Sequence, residues 1–69
     1  MKISARNMFK GKIRQITPGA VNSEVIIETA RGETIVSIIT KESVATMGLR
    51  EGSEVYAVIK ASNVMVAVD

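Results

Sequence analysis

ETIVSIITKESVATMGLREGSEVYAVIK, residues 33–60, is the stretch that decides the fold. It opens on period two: in ETIVSIIT (33–40) Ile35 and Ile39 mark one face of a strand, while Val36 and Ile38 make the other face apolar as well. The period then changes. Within TKESVATMGLREG (40–52), Thr40 or Ser43 can cap a short helix, Val44 and Met47 stand three apart, and Gly48 stops it. A turn through Gly52 leads into SEVYAVIK (53–60), which alternates again as a strand. Strand, one helical turn, strand is an order that few small folds share.

Upstream, ARGE (30–33) reads as a tight hairpin turn with Gly32 placed for positive φ. It joins the third strand to SEVIIETA (23–30), where Val25, Ile27 and Thr29 face one way and Glu24, Ile26 and Glu28 the other. Pro-Gly in PGAVN (18–22) marks a turn. Before it, KGKIRQIT (10–17) is a first strand with Lys10, Lys12 and Arg14 on one side. Ile13 and Ile16 are three apart, so a bulge or the strand's end lies between them. Downstream, SNVMVAVD (62–69) reads as a fifth strand after a kink or tight turn at ASN (61–63). The expected fold is all-β: a small five-stranded OB-like barrel with one short helix between strands three and four, spanning residues 1–69 as a single domain.

A 69-residue chain buries only about 60% of its unfolded surface, so it is marginally stable alone. With no Cys and no His, it has neither disulfides nor the usual zinc sites to help. Oligomerisation remains, and 46% hydrophobic residues supply surface for it. The third strand, apolar on both sides, fits: one face lines the core and the other meets a neighbouring subunit. The N-terminus shows no signal peptide, and the longest apolar run, VMVAV (64–68), is far short of the about 20 residues a membrane span requires. No membrane partner and a cytoplasmic location are expected.

Net charge is only +2, yet Lys2, Arg6, Lys10, Lys12 and Arg14 all precede the first acid, Glu24. Such asymmetry suggests a cationic face, the plainer alternative being lysines on the solvent side of an exposed strand. Catalysis is not expected: with no His or Cys, a nucleophile would need Lys or a carboxylate as its base, and no paired carboxylates stand at suggestive spacing. Single-stranded nucleic acid, held by the basic first strand, is the alternative partner. Barrels that bind it stack bases on aromatic rings, and only Phe9 and Tyr56 are present here.

A small oxyanion suits the residues better. Ser4, Ala5 and Arg6 offer a hydroxyl, a backbone open to close approach and a guanidinium; Thr40 and Ser43 offer hydroxyls at the start of the helix; Lys60 and Ala61 offer an ammonium and a small residue at a strand break. ISARN near the N-terminus, T-x-x-S before a short helix, GLREG and then VIKAS occur in this order and spacing. The combination, spread over essentially the whole chain, resembles the molbindins, the small Mop-type molybdate- and tungstate-binding proteins. The resemblance implies an OB-like barrel assembled as a hexamer, a trimer of dimers, which binds molybdate or tungstate between subunits. It also implies a role in intracellular molybdenum storage or homeostasis, with no other cofactor and no metal held as a bare ion. Ser4, Ala5, Arg6, Lys60 and Ala61 would come from one subunit, and Thr40 and Ser43 from its neighbour. Ser62 is adjacent. The family has a second kind of site near the threefold axis, for which the lysine-rich first strand and the 18–22 turn are the candidates.

The chemistry agrees with that set. Molybdate at neutral pH is a fully deprotonated tetrahedral dianion and only accepts hydrogen bonds. Hydroxyls, backbone N–H groups, Arg6 and Lys60 only need to donate, whereas monohydrogen phosphate would want an acceptor. Glu42, between Thr40 and Ser43, is expected to point away. Two cations against one dianion bring the site near neutrality, which limits the cost of burying it.

Overall fold

The computed structural model describes residues 1–69. Four strands, β1 (Asn7–Pro18), β2 (Asn22–Thr29), β3 (Thr34–Thr40) and β4 (Glu54–Ile59), form one antiparallel sheet in the order β3-β2-β1-β4. Helix α1 (Lys41–Thr46) lies between β3 and β4, as expected from the change of period at Thr40. The hairpin glycine Gly32 and the helix-ending Gly48 both take positive φ, 86° and 63°, which β-carbon-bearing residues adopt only with strain. Beyond Gly48 the Leu49 N–H closes the helix on the Val44 carbonyl at 3.0 Å.

The β-branched run of β2 follows the alternation in the sequence: Ser23, Val25 and Ile27 are buried and Glu24 and Glu28 exposed. In β1 the register with β2 slips between Ile13 and Gln15. The three-residue spacing of Ile13 and Ile16 is therefore a bulge at Arg14, which returns Ile16 to the inner face. The curled sheet wraps a core of Ile13, Val25, Ile27 and Ala57, with Ile16, Ile35, Ile39, Val44, Leu49 and Val55 partly buried around it.

That core is small, and the fold is incomplete at one place. The segment 62–69, expected as a fifth strand, pairs with nothing in this chain. Ala61–Asn63 form a single 3₁₀ turn, closed by Asn63 N–H to the Lys60 carbonyl at 2.9 Å and Val64 N–H to the Ala61 carbonyl at 3.2 Å. Met65, Val66 and Val68 beyond it are more than nine-tenths exposed. A strand exists through its ladder to a neighbour, and the turn sends this one away from its own sheet. The architecture of one chain is thus a four-stranded half-barrel with a short helix. Between its edges β3 and β4 runs an apolar groove of about 450 Å³, lined by Ile35, Val36 and Ile38 on one side and Tyr56, Val58 and Ile59 on the other.

Candidate oxyanion-binding site

β1 and β4 are antiparallel, with Asn7 opposite Ile59. Arg6, just before β1, and Lys60, just after β4, therefore leave the same end of the sheet side by side. The Asn7 side-chain amide donates to the Ile59 carbonyl at 3.2 Å and ties the two segments together there. The result is a hollow of about 520 Å³ lined by Ser4, Ala5, Arg6, Lys60, Ala61 and Ser62, with Ile3 and Val58 as its apolar margin. Five residues singled out in the sequence, 54 or more positions apart in two groups, meet in one place. The Arg6 guanidinium and the Lys60 ammonium are exposed and have no ion-pair partner, since the one ion pair in the chain joins Arg14 to Glu28. No acid lines this hollow, so both of its charged side chains are cations.

Thr40 and Ser43 lie elsewhere. Thr40 is the N-cap of α1: its extended backbone (φ −69°, ψ 151°) lets Oγ1 accept the Ser43 N–H at 3.0 Å, and the same hydroxyl donates to Ser43 Oγ at 2.8 Å. They line a second hollow, of about 430 Å³, with Glu42, Thr46 and Met47. Glu42, expected to point away, is among the residues that border this hollow. In a one-turn helix the second and third residues fan around the same open end, and a carboxylate in the first turn is favoured by the helix dipole. Thr46, three residues after Ser43, is a further hydroxyl that helical spacing could have flagged.

The register fixes how far apart the hollows are. β2 runs antiparallel to both β1 and β3, and Thr40 pairs with Asn22 at the end of the sheet where β1 finishes. Arg6 and Lys60 sit where β1 begins. The 12 residues of β1 place about 36 Å of strand path between the two ends, at about 3.3 Å per residue. Within one chain the two groups therefore stand at opposite ends of the sheet.

The basic first strand proves to be largely compensated. Arg14 donates to Glu28 at 3.4 Å, and Lys12 stands in register between Glu28 and Glu54. The cleft there, lined by Lys10, Lys12, Glu28, Thr29 and Glu54, mixes both signs of charge. It is neither a free cationic track for a phosphate backbone nor a donor-only anion site. No helix is long and apolar enough to cross a membrane.

Comparison with known proteins places the chain. The TOBE domain model matches residues 3–66. Molybdenum-pterin-binding protein 3 of Clostridium pasteurianum is 46% identical over 66 residues, covering 96% of this chain and 97% of that one. Among solved structures, MopII from Clostridium pasteurianum superposes with a TM-score of 0.92 at 45% identity, covering 97% of this chain and all of that one. The cytoplasmic molybdate-binding protein ModG, in a form with molybdate bound, superposes with a TM-score of 0.91 at 48% identity; the match covers 94% of this chain and 46% of ModG, a longer protein. With a TOBE match over nearly its whole length and relatives of its own size at this identity, the chain belongs to the TOBE-domain family, in its small molbindin (Mop-type) branch.

Proposed function

We propose that this protein binds molybdate or tungstate between copies of its own chain, as a cytoplasmic store or buffer of the oxyanion, and that it catalyses no reaction. The observation that carries the proposal is the split of the site: Ser4, Ala5, Arg6, Lys60 and Ala61 share one hollow, and Thr40 and Ser43 share another at the opposite end of the sheet. Each hollow alone is shallow and open. Brought together from two chains, they surround a tetrahedral dianion with a guanidinium, an ammonium, hydroxyls and backbone N–H groups. Charge-assisted bonds of this kind are the strong ones. The names of the relatives support molybdate as the ligand, and the bound molybdate in ModG supports the bare anion as the bound species.

The fifth strand belongs to the same reading. The groove between β3 and β4 lacks one strand, and the segment 64–69 is an apolar strand without a sheet. Because that segment is held away from its own body, the groove it fills is the neighbour's. Pairs of chains linked this way are the dimers of a hexamer, a trimer of dimers. Each barrel then has its five strands.

Mixed assemblies test the sharing. Arg6→Ala and Thr40→Val chains, each of which binds weakly alone, are unfolded together and reassembled. If each site takes Arg6 from one chain and Thr40 from another, random pairing regenerates about a quarter of the sites at full affinity. If one chain holds a whole site, calorimetry finds none.

A further inference from the structure

Arg6 and Lys60 stand at the end of the sheet with little around them to hold them there. No strand or helix precedes Asn7, and only the single 3₁₀ turn follows Ile59. The last rung of the β1–β4 ladder, Asn7 opposite Ile59, is therefore where both cationic segments are anchored. Terminal rungs open first, because no further pairing stands behind them. This one carries a bond that its backbone does not supply. The Asn7 side-chain amide donates to the Ile59 carbonyl across 52 positions of sequence, whereas no other side-chain hydrogen bond in the chain spans more than 14. Asn7 and Ile59 are half-buried while Arg6 and Lys60 are exposed, so the bond is partly shielded from competing water. Asn7 itself does not line the hollow.

Backbone geometry carries the effect of this bond to both cations. A trans peptide unit is planar, so an Ile59 carbonyl held toward Asn7 sets the Lys60 N–H on the opposite side of the same plane. On the other segment, an Asn7 side chain committed to that carbonyl fixes the point from which Arg6 leaves the sheet. We infer that Asn7 is a positioning residue for oxyanion binding, an assignment that rests on the oxyanion reading of the Arg6–Lys60 hollow. Through the Ile59 carbonyl, its amide holds the two segments at the spacing in which both cations meet one dianion. Without that bond both charges are still present, but the anion has to order them as it binds, and ordering costs affinity.

Titration calorimetry of Asn7→Leu with molybdate, beside the wild type, tests it. Leucine keeps the volume and removes the donor. Binding weakens about tenfold, the equivalent of about 1.4 kcal/mol, while the sedimenting mass is unchanged. A double-mutant cycle separates positioning from plain stability. In an Arg6→Ala chain, where one of the two cations to be positioned is gone, adding Asn7→Leu costs no more than about threefold. In a Thr40→Val chain, altered only in the other hollow, it costs the full factor of about ten. Equal losses in the two backgrounds assign Asn7 to the fold alone and overturn the inference. Asn7→Asp, of the same shape but with no amide to donate, gives a second reading: it binds more weakly than the wild type, and wild-type affinity in either variant overturns the inference while the oxyanion reading stands. A wild-type chain that gives no heat with molybdate removes both together.

Discussion

Arg6→Ala weakens oxyanion binding by roughly 30- to 700-fold, the equivalent of about 2–4 kcal/mol for the loss of a charge-assisted, two-pronged hydrogen bond in a partly desolvated site. The protein meanwhile stays folded and assembled. Both halves of this result follow from where Arg6 sits. Its guanidinium is exposed at the rim of the hollow shared with Lys60, and no carboxylate or carbonyl in the chain bonds to it. Surface substitutions of that kind change stability by about 0.5 kcal/mol or less. Titration calorimetry and a thermal melt of the same sample check the two halves together. A variant with wild-type affinity removes Arg6 from the site; one that melts far below the wild type assigns it to the fold instead.

Ending the chain after Asn63 has the other large effect. Two of the lost apolar side chains face inward when the strand is seated, and their burial is worth about 3–6 kcal/mol before the backbone ladder is counted. A single small domain has about 5–15 kcal/mol in total, and only four hydrophobic residues of this one are buried. The shortened chain is therefore expected to sediment as a monomer, to melt at a much lower temperature and to bind no oxyanion, although Ser4, Arg6, Lys60 and Thr40 are all still present. Sedimentation and calorimetry read this directly. A shortened chain that assembles and binds normally contradicts the placing of residues 64–69 in a neighbour's groove.

What the sequence made legible, and what it did not, follows from how local each feature is. The β2–β3 hairpin, the helix cap and the stop at Gly48 are short-range events; turn chemistry identified the glycines and narrowed the cap to Thr40 or Ser43, of which the structure uses Thr40. The spacing of Ile13 and Ile16 indicated a bulge or the end of the strand, and the slip in register between Ile13 and Gln15 makes it a bulge. β1 is longer than the alternation indicated, beginning at Asn7 rather than Lys10, because Asn7–Phe9 are strand only through their pairing with Ala57–Ile59 some 50 residues away. The segment 62–69 has a strand's composition, but a strand needs a partner edge, and it pairs with neither free edge, β3 or β4, of its own sheet. At the site, the residue types and their grouping were legible; that one group stands at each end of the sheet is a consequence of strand order, which the sequence does not display.

Titration calorimetry of the wild-type protein with molybdate, tungstate, sulfate and phosphate, in a buffer free of phosphate, tests the central claim most directly. Molybdate and tungstate should each bind tightly, with a stoichiometry set by shared sites, and monohydrogen phosphate should give no comparable heat because no carboxylate lines the Arg6–Lys60 hollow to take its proton. No heat with molybdate or tungstate, or equal affinity for phosphate, would contradict the assignment of these residues to a donor-lined oxyanion site.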